Sequence, residues 1–295
     1  MRVLITGGGG MLARAVADEY RSRGDDCVAR SRGELDVTDR CAVGRAFGVI
    51  RPEVVVHCAA FTAVDAAEAA EAEAFRVNAD ATRNVAAACH ASGALLVYPS
   101  TDYVFDGRAM NPYPPDYPRA PLNAYGHSKA AGEDAARAAA RFLTVRTSWL
   151  YGAGGPNFVE TMLRLGRGDS AVRVVDDQVG RPTSTALLAG VIQELVAAGA
   201  EGACHVTGGG EPVSWHGFAG EIFRQTAMRV GLEPVDSAEY PTAAQRPRFS
   251  VLDCTATEAA IGRRLPDWND ALSEYLTSRG TITSGDPAPF LPATR

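Results

Sequence analysis

Long apolar runs, paired cysteines and lysine are what this chain most conspicuously lacks. Without a run of about 18 apolar residues it has no membrane-spanning segment to offer. The N-terminus opens directly on a strand pattern, Arg2, Val3, Leu4, Ile5 and Thr6, where a signal peptide would carry a longer apolar stretch, so a cytoplasmic location is expected. The six cysteines, Cys27, Cys41, Cys58, Cys89, Cys204 and Cys254, form neither a CxxC pair nor a metal-finger spacing. They read as reduced thiols with packing roles. His90, His127, His205 and His216 also lack ligand spacing, and no metal site is expected. A positive charge excess is missing too: 29 cationic against 35 anionic side chains give −6. That sign is wrong for gripping a phosphate backbone, which excludes nucleic acid as a partner. Of the 29 cations, 28 are arginine and one is lysine, Lys129. A lysine where the sequence otherwise uses arginine needs a reason.

What is present is an ordinary enzyme-sized composition: 295 residues, 46% hydrophobic and 22% charged. Short apolar runs near 3–6, 27–29, 54–58, 94–98 and 142–145 alternate with helical stretches near 11–22, 39–47, 66–90 and 124–140. This βαβα rhythm predicts an α/β fold, a doubly wound parallel sheet covered by helices on both faces. After Tyr151 the rhythm weakens to a helix near 158–165, a strand near 172–175 and a helix near 187–198. Pro212, Pro234, Pro241, Pro247 and Pro266 then interrupt short helical pieces, which suits a smaller C-terminal substrate-binding lobe over the sheet's carboxyl edge. The expected division is a dinucleotide-binding domain of residues 1–150 plus about 171–200. The lobe takes about 151–170 and 201–279, and 280–295 forms a flexible tail rich in Gly, Pro, Ser and Thr.

The first strand runs into Gly7, Gly8, Gly9 and Gly10, and a helix starts at Met11. Glycines allow the tight turn and the close approach of a pyrophosphate, whose charge the free N–H groups of the helix start would hold. The spacing is Gly7, Gly10, Ala13, with a methyl where a third glycine is common. A dinucleotide is therefore expected, with Gly7, Gly10, Met11 and Leu12 as contacts. An NAD fingerprint would put an acidic residue at the end of the second strand. That end reads Arg30, Ser31, Arg32, which can clamp a 2′-phosphate with charge-assisted bonds, although arginine is frequent enough for chance surface placement to be the alternative. NADPH is the expected cofactor, with NADH also open.

Tyr125 and the lone Lys129 stand four residues apart, on one face of a helix. Bringing a phenol down about three units from about 10 requires roughly 4 kcal/mol of preferential phenolate stabilisation, which a nearby ammonium and the cationic nicotinamide ring can supply. The spacing alone is common by chance, and it is the composition that singles this pair out. Upstream, Ser100 to Gly107 leave the fourth strand at its carboxyl edge, where the Thr101 hydroxyl can bind a carbonyl oxygen as it gains negative charge.

With these features in place the sequence resembles the extended short-chain dehydrogenase/reductases and, more narrowly, the dTDP-4-dehydrorhamnose reductases. The supporting segments are 59–65 with Glu68, 100–107, 125–129 with Gly132 and Glu133, 146–152, Asn157 with Phe158, 177–183, Ser214 with Trp215, and 246–253, so the likeness spans roughly residues 2–278. The resemblance implies Thr101, Tyr125 and Lys129 as the catalytic set. It implies Thr62, Val64, Asp102, Tyr103 and Trp149 as residues facing the sugar. Asp36, with Val37 beside it, would meet the adenine, and Ala59, Ala60 and Asn78 would flank the cofactor. Read without the resemblance, Trp149 is equally ordinary core. His57 stands where the family often has asparagine, and a satisfied buried histidine is the expectation.

Related dehydratases place an Asp-Glu pair after the Ser-Thr, and here the pair is Asp102-Tyr103, which favours reduction over elimination of water. The implied activity is NADPH-dependent reduction of the C4 keto group of a nucleotide-linked 6-deoxyhexose. A reductase of another deoxysugar branch, a nucleotide-sugar epimerase and a non-catalytic regulatory subunit of the same fold are the alternatives. The expected partner is the nucleotide-linked deoxysugar, with a homodimer left open.

Overall fold

The computed structural model describes residues 1–168 and 170–282. In chain order the elements are β1 (Arg2–Thr6), α1 (Met11–Ser22), β2 (Asp26–Arg30), α2 (Arg40–Ile50), β3 (Val54–His57), α3 (Val64–Ala69) and α4 (Glu71–Phe75). A π-helical turn, Arg76–Asp80, joins α4 to α5 (Ala81–Ser92), followed by β4 (Leu95–Thr101), a 3₁₀ turn (Asp102–Val104), α6 (Ala124–Ala136) and β5 (Arg141–Thr147). Then come β6 (Leu150–Tyr151), α7 (Phe158–Leu165), β7 (Val172–Val175), β8 (Val179–Gly180), β9 (Thr183–Ser184), α8 (Thr185–Ala197) and β10 (Gly202–His205). The last elements are β11 (Val213–Ser214), α9 (Trp215–Gln225), β12 (Leu232–Val235), α10 (Thr255–Ile261) and α11 (Trp268–Ser278). No helix among the described residues is long and apolar enough to cross a membrane.

Six parallel strands form the central sheet in the order β10-β5-β4-β3-β1-β2. All four residues of β3, Val54, Val55, Val56 and His57, are buried, as both faces of a helix-covered sheet require. Alternation then sorts the side chains: Val3, Ile5 and Val56 face a core closed by Val16 of α1 and Leu188 and Ile192 of α8. Leu4, Val55 and Leu96 face Phe47 of α2 and Val85 of α5 on the other side. This is the doubly wound α/β class that the sequence rhythm predicts. The direction in which successive strands are added to the sheet reverses between β1 and β3, so a crevice opens at their carboxyl ends. A third core, built from Val159, Met162, Phe218, Ile222, Leu272 and Leu276, belongs to the smaller C-terminal lobe.

Three local expectations differ from the structure. The single helix expected at 66–90 is three pieces: Ala70 leaves helical geometry at φ −127°, and the π turn follows. That wide turn lets Asn78 aim its amide at the loop after β3. The strand at 172–175 does not join the central sheet but pairs with β12. Conversely β10, inside the stretch assigned to the lobe, closes the central sheet against β5. The expectation for residues 280–295 falls, from 283 onward, outside the described residues.

Candidate active site

At the end of β1, Gly7 takes φ +67°, and a Cβ there would lie 2.6 Å from the Ala59 nitrogen. Only glycine accepts both the left-handed backbone and that contact. The turn is closed by Gly10 N–H donating to the Gly7 carbonyl at 2.9 Å and tied to β2 by Gly8 N–H on the Arg30 carbonyl at 2.7 Å. Helix α1 starts with no side-chain cap, so its first N–H groups are free to hold an anion. Ala13, in the third glycine position of the fingerprint, is fully buried against the sheet, which has room for its methyl.

Across the crevice β4 ends at Thr101, whose hydroxyl donates to Asp102 Oδ1 at 3.0 Å and accepts from Tyr103 N–H at 3.2 Å. Helix α6 is capped by Asn123, whose Oδ1 takes Gly126 N–H at 2.8 Å. It packs so closely that a Cβ on Gly126 would meet the Tyr103 carbonyl at 2.3 Å, and one on Gly132 the Tyr98 hydroxyl at 2.0 Å. These contacts bring the half-buried Tyr125 up to Thr101. Burial pushes the Tyr125 phenol upward, the Thr101 hydroxyl opposes the rise, and the Asp102 charge adds to it.

The groups around Tyr125 therefore leave its phenol raised rather than lowered. Lys129, only 3% exposed, directs Nζ to the Pro99 carbonyl at 2.7 Å and over the Tyr98 ring at 4.1 Å. Burial brings its own pKa down to about 7, with the Glu133 and Cys58 charges working against the fall.

Beneath Lys129 lies a buried ionic layer. Glu133 pairs with Arg146 through two contacts of 2.8 Å and accepts from the Ser100 hydroxyl at 2.6 Å and from Arg119 at 3.2 Å. Burial raises the Glu133 pKa, but Arg146, Ser100 and Arg119 outweigh it and hold the carboxyl below its ordinary range. Asp102 is pushed the other way, to about 6, because burial outweighs the opposing pull of the Ser250 and Thr101 hydroxyls.

One cavity of about 800 Å³ joins the glycine turn to this cluster. Thr101, Tyr125 and Lys129 all line it, as do Asp102 and Tyr103. Gly7, Gly10, Met11 and Leu12 line the end at the glycine turn, and Ser31, Arg32, Asp36 and Val37 the end beyond β2. Ala59, Ala60, Thr62, Val64 and Trp149 complete the expected set on its walls.

Two residues do not line it. Arg30 faces Glu34 at 3.5 Å. Asn78 is consumed by Phe61 N–H at 2.8 Å, the Phe61 carbonyl at 3.0 Å and the Ser128 hydroxyl at 2.9 Å. It shapes the wall from behind. His57 is buried as expected but only half satisfied: Nδ1 meets the Thr6 hydroxyl at 2.7 Å, and Nε2 has no partner among the described residues. Burial and the nearby Lys129 charge bring its pKa to about 3, so it is neutral.

Two lining residues, Trp215 and Phe158, stood outside the expected set. Trp149 holds φ +48°, rare for a bulky residue, and stacks on Trp215 with centroids 3.6 Å apart. Its other side abuts Gly180, where a Cβ would lie 2.6 Å from the indole. Phe158 joins the stack at 4.5 Å from Trp215. The Ser214-Trp215 segment was visible in the sequence, but nothing local says that Trp215 crosses to the crevice.

A family profile described as the RmlD substrate binding domain matches residues 1–280. The dTDP-4-dehydrorhamnose reductase of Streptomyces griseus is 45% identical over 284 residues, covering 92% of each chain. The dTDP-4-keto-6-deoxy-D-glucose reductase of Streptomyces niveus is 40% identical over 92% of this chain and 96% of that one. Among solved structures, the dTDP-4-dehydrorhamnose reductase of Bacillus anthracis in complex with NADP superposes with a TM-score of 0.91 at 39% identity, over 94% of this chain and 99% of that one. A match across nearly the whole chain, on a fold that brings the glycine turn and the Thr101, Tyr125, Lys129 cluster to one cavity, places this protein in the RmlD substrate binding domain family.

Proposed function

We propose that this chain reduces the C4 keto group of a dTDP-linked 4-keto-6-deoxyhexose with NADPH, converting dTDP-4-dehydro-L-rhamnose to dTDP-L-rhamnose. The observation that carries the reading is the shared cavity, with Thr101, Tyr125 and Lys129 at one end and an uncapped helix start behind a glycine turn at the other. In this reading the central sheet with its helices, β10 included, holds the dinucleotide and the C-terminal lobe, β7 included, closes over the sugar, in the cytoplasm, where six free thiols stay reduced. Pairing of two copies is part of the proposal, and the mass in solution checks it.

The residues present fit a dinucleotide. His57 Nε2 and Thr147 Oγ1 are buried polar atoms, on residues lining the cavity, with no partner among the described residues. The turn at Gly9 is open, with nothing within 4 Å of where a Cβ would stand. Gly7, Gly10, Met11 and Leu12 would hold the pyrophosphate, Ser31, Arg32, Asp36 and Val37 the adenosine end, and Ala59 and Ala60 the middle. A bound reduced nicotinamide supplies the hydride.

The protein's own part is to bind the ketone, orient it and deliver one proton. Tyr125, kept protonated by burial, is the donor to the sugar oxygen. Thr101, whose hydroxyl accepts from Tyr103 N–H and rests its one proton on Asp102, turns that proton to the sugar oxygen and so orients it. Lys129 spends one N–H on Pro99 and keeps two for the ribose, and its charge steadies the phenolate left after transfer. Tyr103 packs edge-on to Tyr125 with centroids 5.8 Å apart, where a dehydratase would need a glutamate, which supports reduction over elimination.

The test is the purified protein with NADPH and a dTDP-4-keto-6-deoxyhexose, with and without a 3,5-epimerase. One NADPH consumed per reduced sugar, only with the epimerase present, supports the rhamnose reading. Consumption without the epimerase assigns the sister branch named for the Streptomyces niveus relative. Product formed without net NADPH loss overturns reduction in favour of epimerisation.

A further inference from the structure

The strand end that should carry an acidic residue in a dinucleotide fold that prefers NAD reads Arg30, Ser31, Arg32, yet the structure brings an acid there by another route. The chain turns immediately after β2: Glu34 N–H and Leu35 N–H both donate to the Ser31 carbonyl, at 3.1 and 2.9 Å. That turn folds the Glu34 side chain back over the strand end. Glu34 Oε2 accepts from Ser31 N–H at 2.8 Å and from the Ser31 hydroxyl at 2.7 Å, and Oε1 faces Arg30 at 3.5 Å. The neighbouring acid does not compete for this place. Asp36 Oδ1 is bent into its own loop, accepting from Thr38 N–H at 2.9 Å and the Thr38 hydroxyl at 2.8 Å.

Resting on the dinucleotide reading above, we infer that Glu34 is a specificity-determining residue that sets the balance between NADPH and NADH. Ser31 and Arg32 line the cavity, and Ser31 has one N–H and one hydroxyl proton to give. A 2′-phosphate arriving there finds both donors held by a carboxylate and meets a like charge, so Glu34 must swing away before Ser31 and the arginines can close on it. A ribose with free hydroxyls has no such conflict, because hydroxyls donate to a carboxylate. Arg30, drawn toward Glu34 and outside the cavity lining, becomes available to a phosphate only when that carboxylate leaves. The pair is exposed, so the carboxylate moves at little cost and the effect is a bias, not a block.

The experiment measures equilibrium binding of NADPH and NADH, by the fluorescence of the bound reduced nicotinamide, to the parent, Glu34→Gln and Glu34→Ala proteins, with no sugar nucleotide present. Removing the charge is expected to tighten NADPH by about fivefold and to leave NADH unchanged or weaker. Both variants should melt with the parent, since Glu34 lies on the surface. Affinities for the two dinucleotides that keep the parental ratio in both variants overturn the inference while leaving the reductase reading standing. A parent that binds neither dinucleotide overturns both together.

Discussion

Lys129 holds the Pro99 carbonyl at 2.7 Å, from a position one helical turn beyond Tyr125. The bond ties α6 to the last turn of β4, the strand that delivers Thr101, so the position of the phenol relative to the threonine hydroxyl is set through the lysine. Because Lys129 is buried over the Tyr98 ring and titrates near 7, it contributes orientation and a tunable charge, and the phenol enters the reaction protonated.

Tyr125→Phe removes the proton donor and little else. Turnover should fall by about 10²–10⁴-fold while NADPH affinity stays within about twofold of the parent. Steady-state rates paired with a dinucleotide titration check this, and parental turnover in the variant would sink the mechanism.

Lys129 also leaves a signature in stability. Its folded value of about 7 lies below the ordinary 10.5, so between these the unfolded chain binds more protons and unfolding free energy rises with pH. Lys129→Met loses that contribution. Urea unfolding of both proteins at about pH 7 and about pH 9 should show the parent gaining on the variant; parallel profiles would mean that the lysine titrates normally.

Asp102 has the opposite sense. Raised from 3.8 to about 6, it binds more protons folded than unfolded in that window, so its contribution is lost as pH rises through about 6. Asp102→Asn keeps an acceptor for the Thr101 hydroxyl and removes a buried charge. The variant should be more stable by roughly 1–3 kcal/mol at neutral pH and lose that advantage near pH 4, while turning over more slowly. Equal stability at neutral pH would refute the account of burial.

Glu133→Gln should be costly, because Arg146, 2% exposed, keeps its charge but loses its counterion. A loss of about 3–5 kcal/mol in chemical denaturation is expected. A loss under about 1 kcal/mol would show that Arg119 and Ser100 do not depend on the pair.

Gly7→Ala places a methyl 2.6 Å from the Ala59 nitrogen on a left-handed backbone. Dinucleotide binding should fall more than tenfold, since turn and helix start must separate; calorimetric titration with NADPH measures it.

The parts of the site set by local pattern were legible in the sequence: Gly7 before an apolar helix, Tyr125 and Lys129 four apart, Thr101 at a strand end. Those set by return contacts were not. The backward fold of Glu34 onto Ser31 depends on turn geometry three residues away, and the meeting of Trp149 with Trp215 spans 66 residues of sequence and needs the lobe in place. Arg30 was named for its place at a strand end and Asn78 from the resemblance alone, and what the pattern did not show is that Glu34 faces the first while Phe61 and Ser128 hold the second. The doubly wound rhythm read correctly because β1, β3 and the first half of β4 are buried apolar runs. Strand β10 was missed because Gly202, Ala203, Cys204 and His205 form no such run.

That last strand carries a consequence for how the molecule can be made. The chain leaves the sheet after β5, builds much of the lobe's near side, and returns only at residue 202 to lay β10 along the exposed edge of β5. A fragment cut after 150 would present the bare backbone of β5 to other chains, and it should assemble intermolecularly where the whole chain does not. The central sheet is therefore complete only once residues 202–205 are in place.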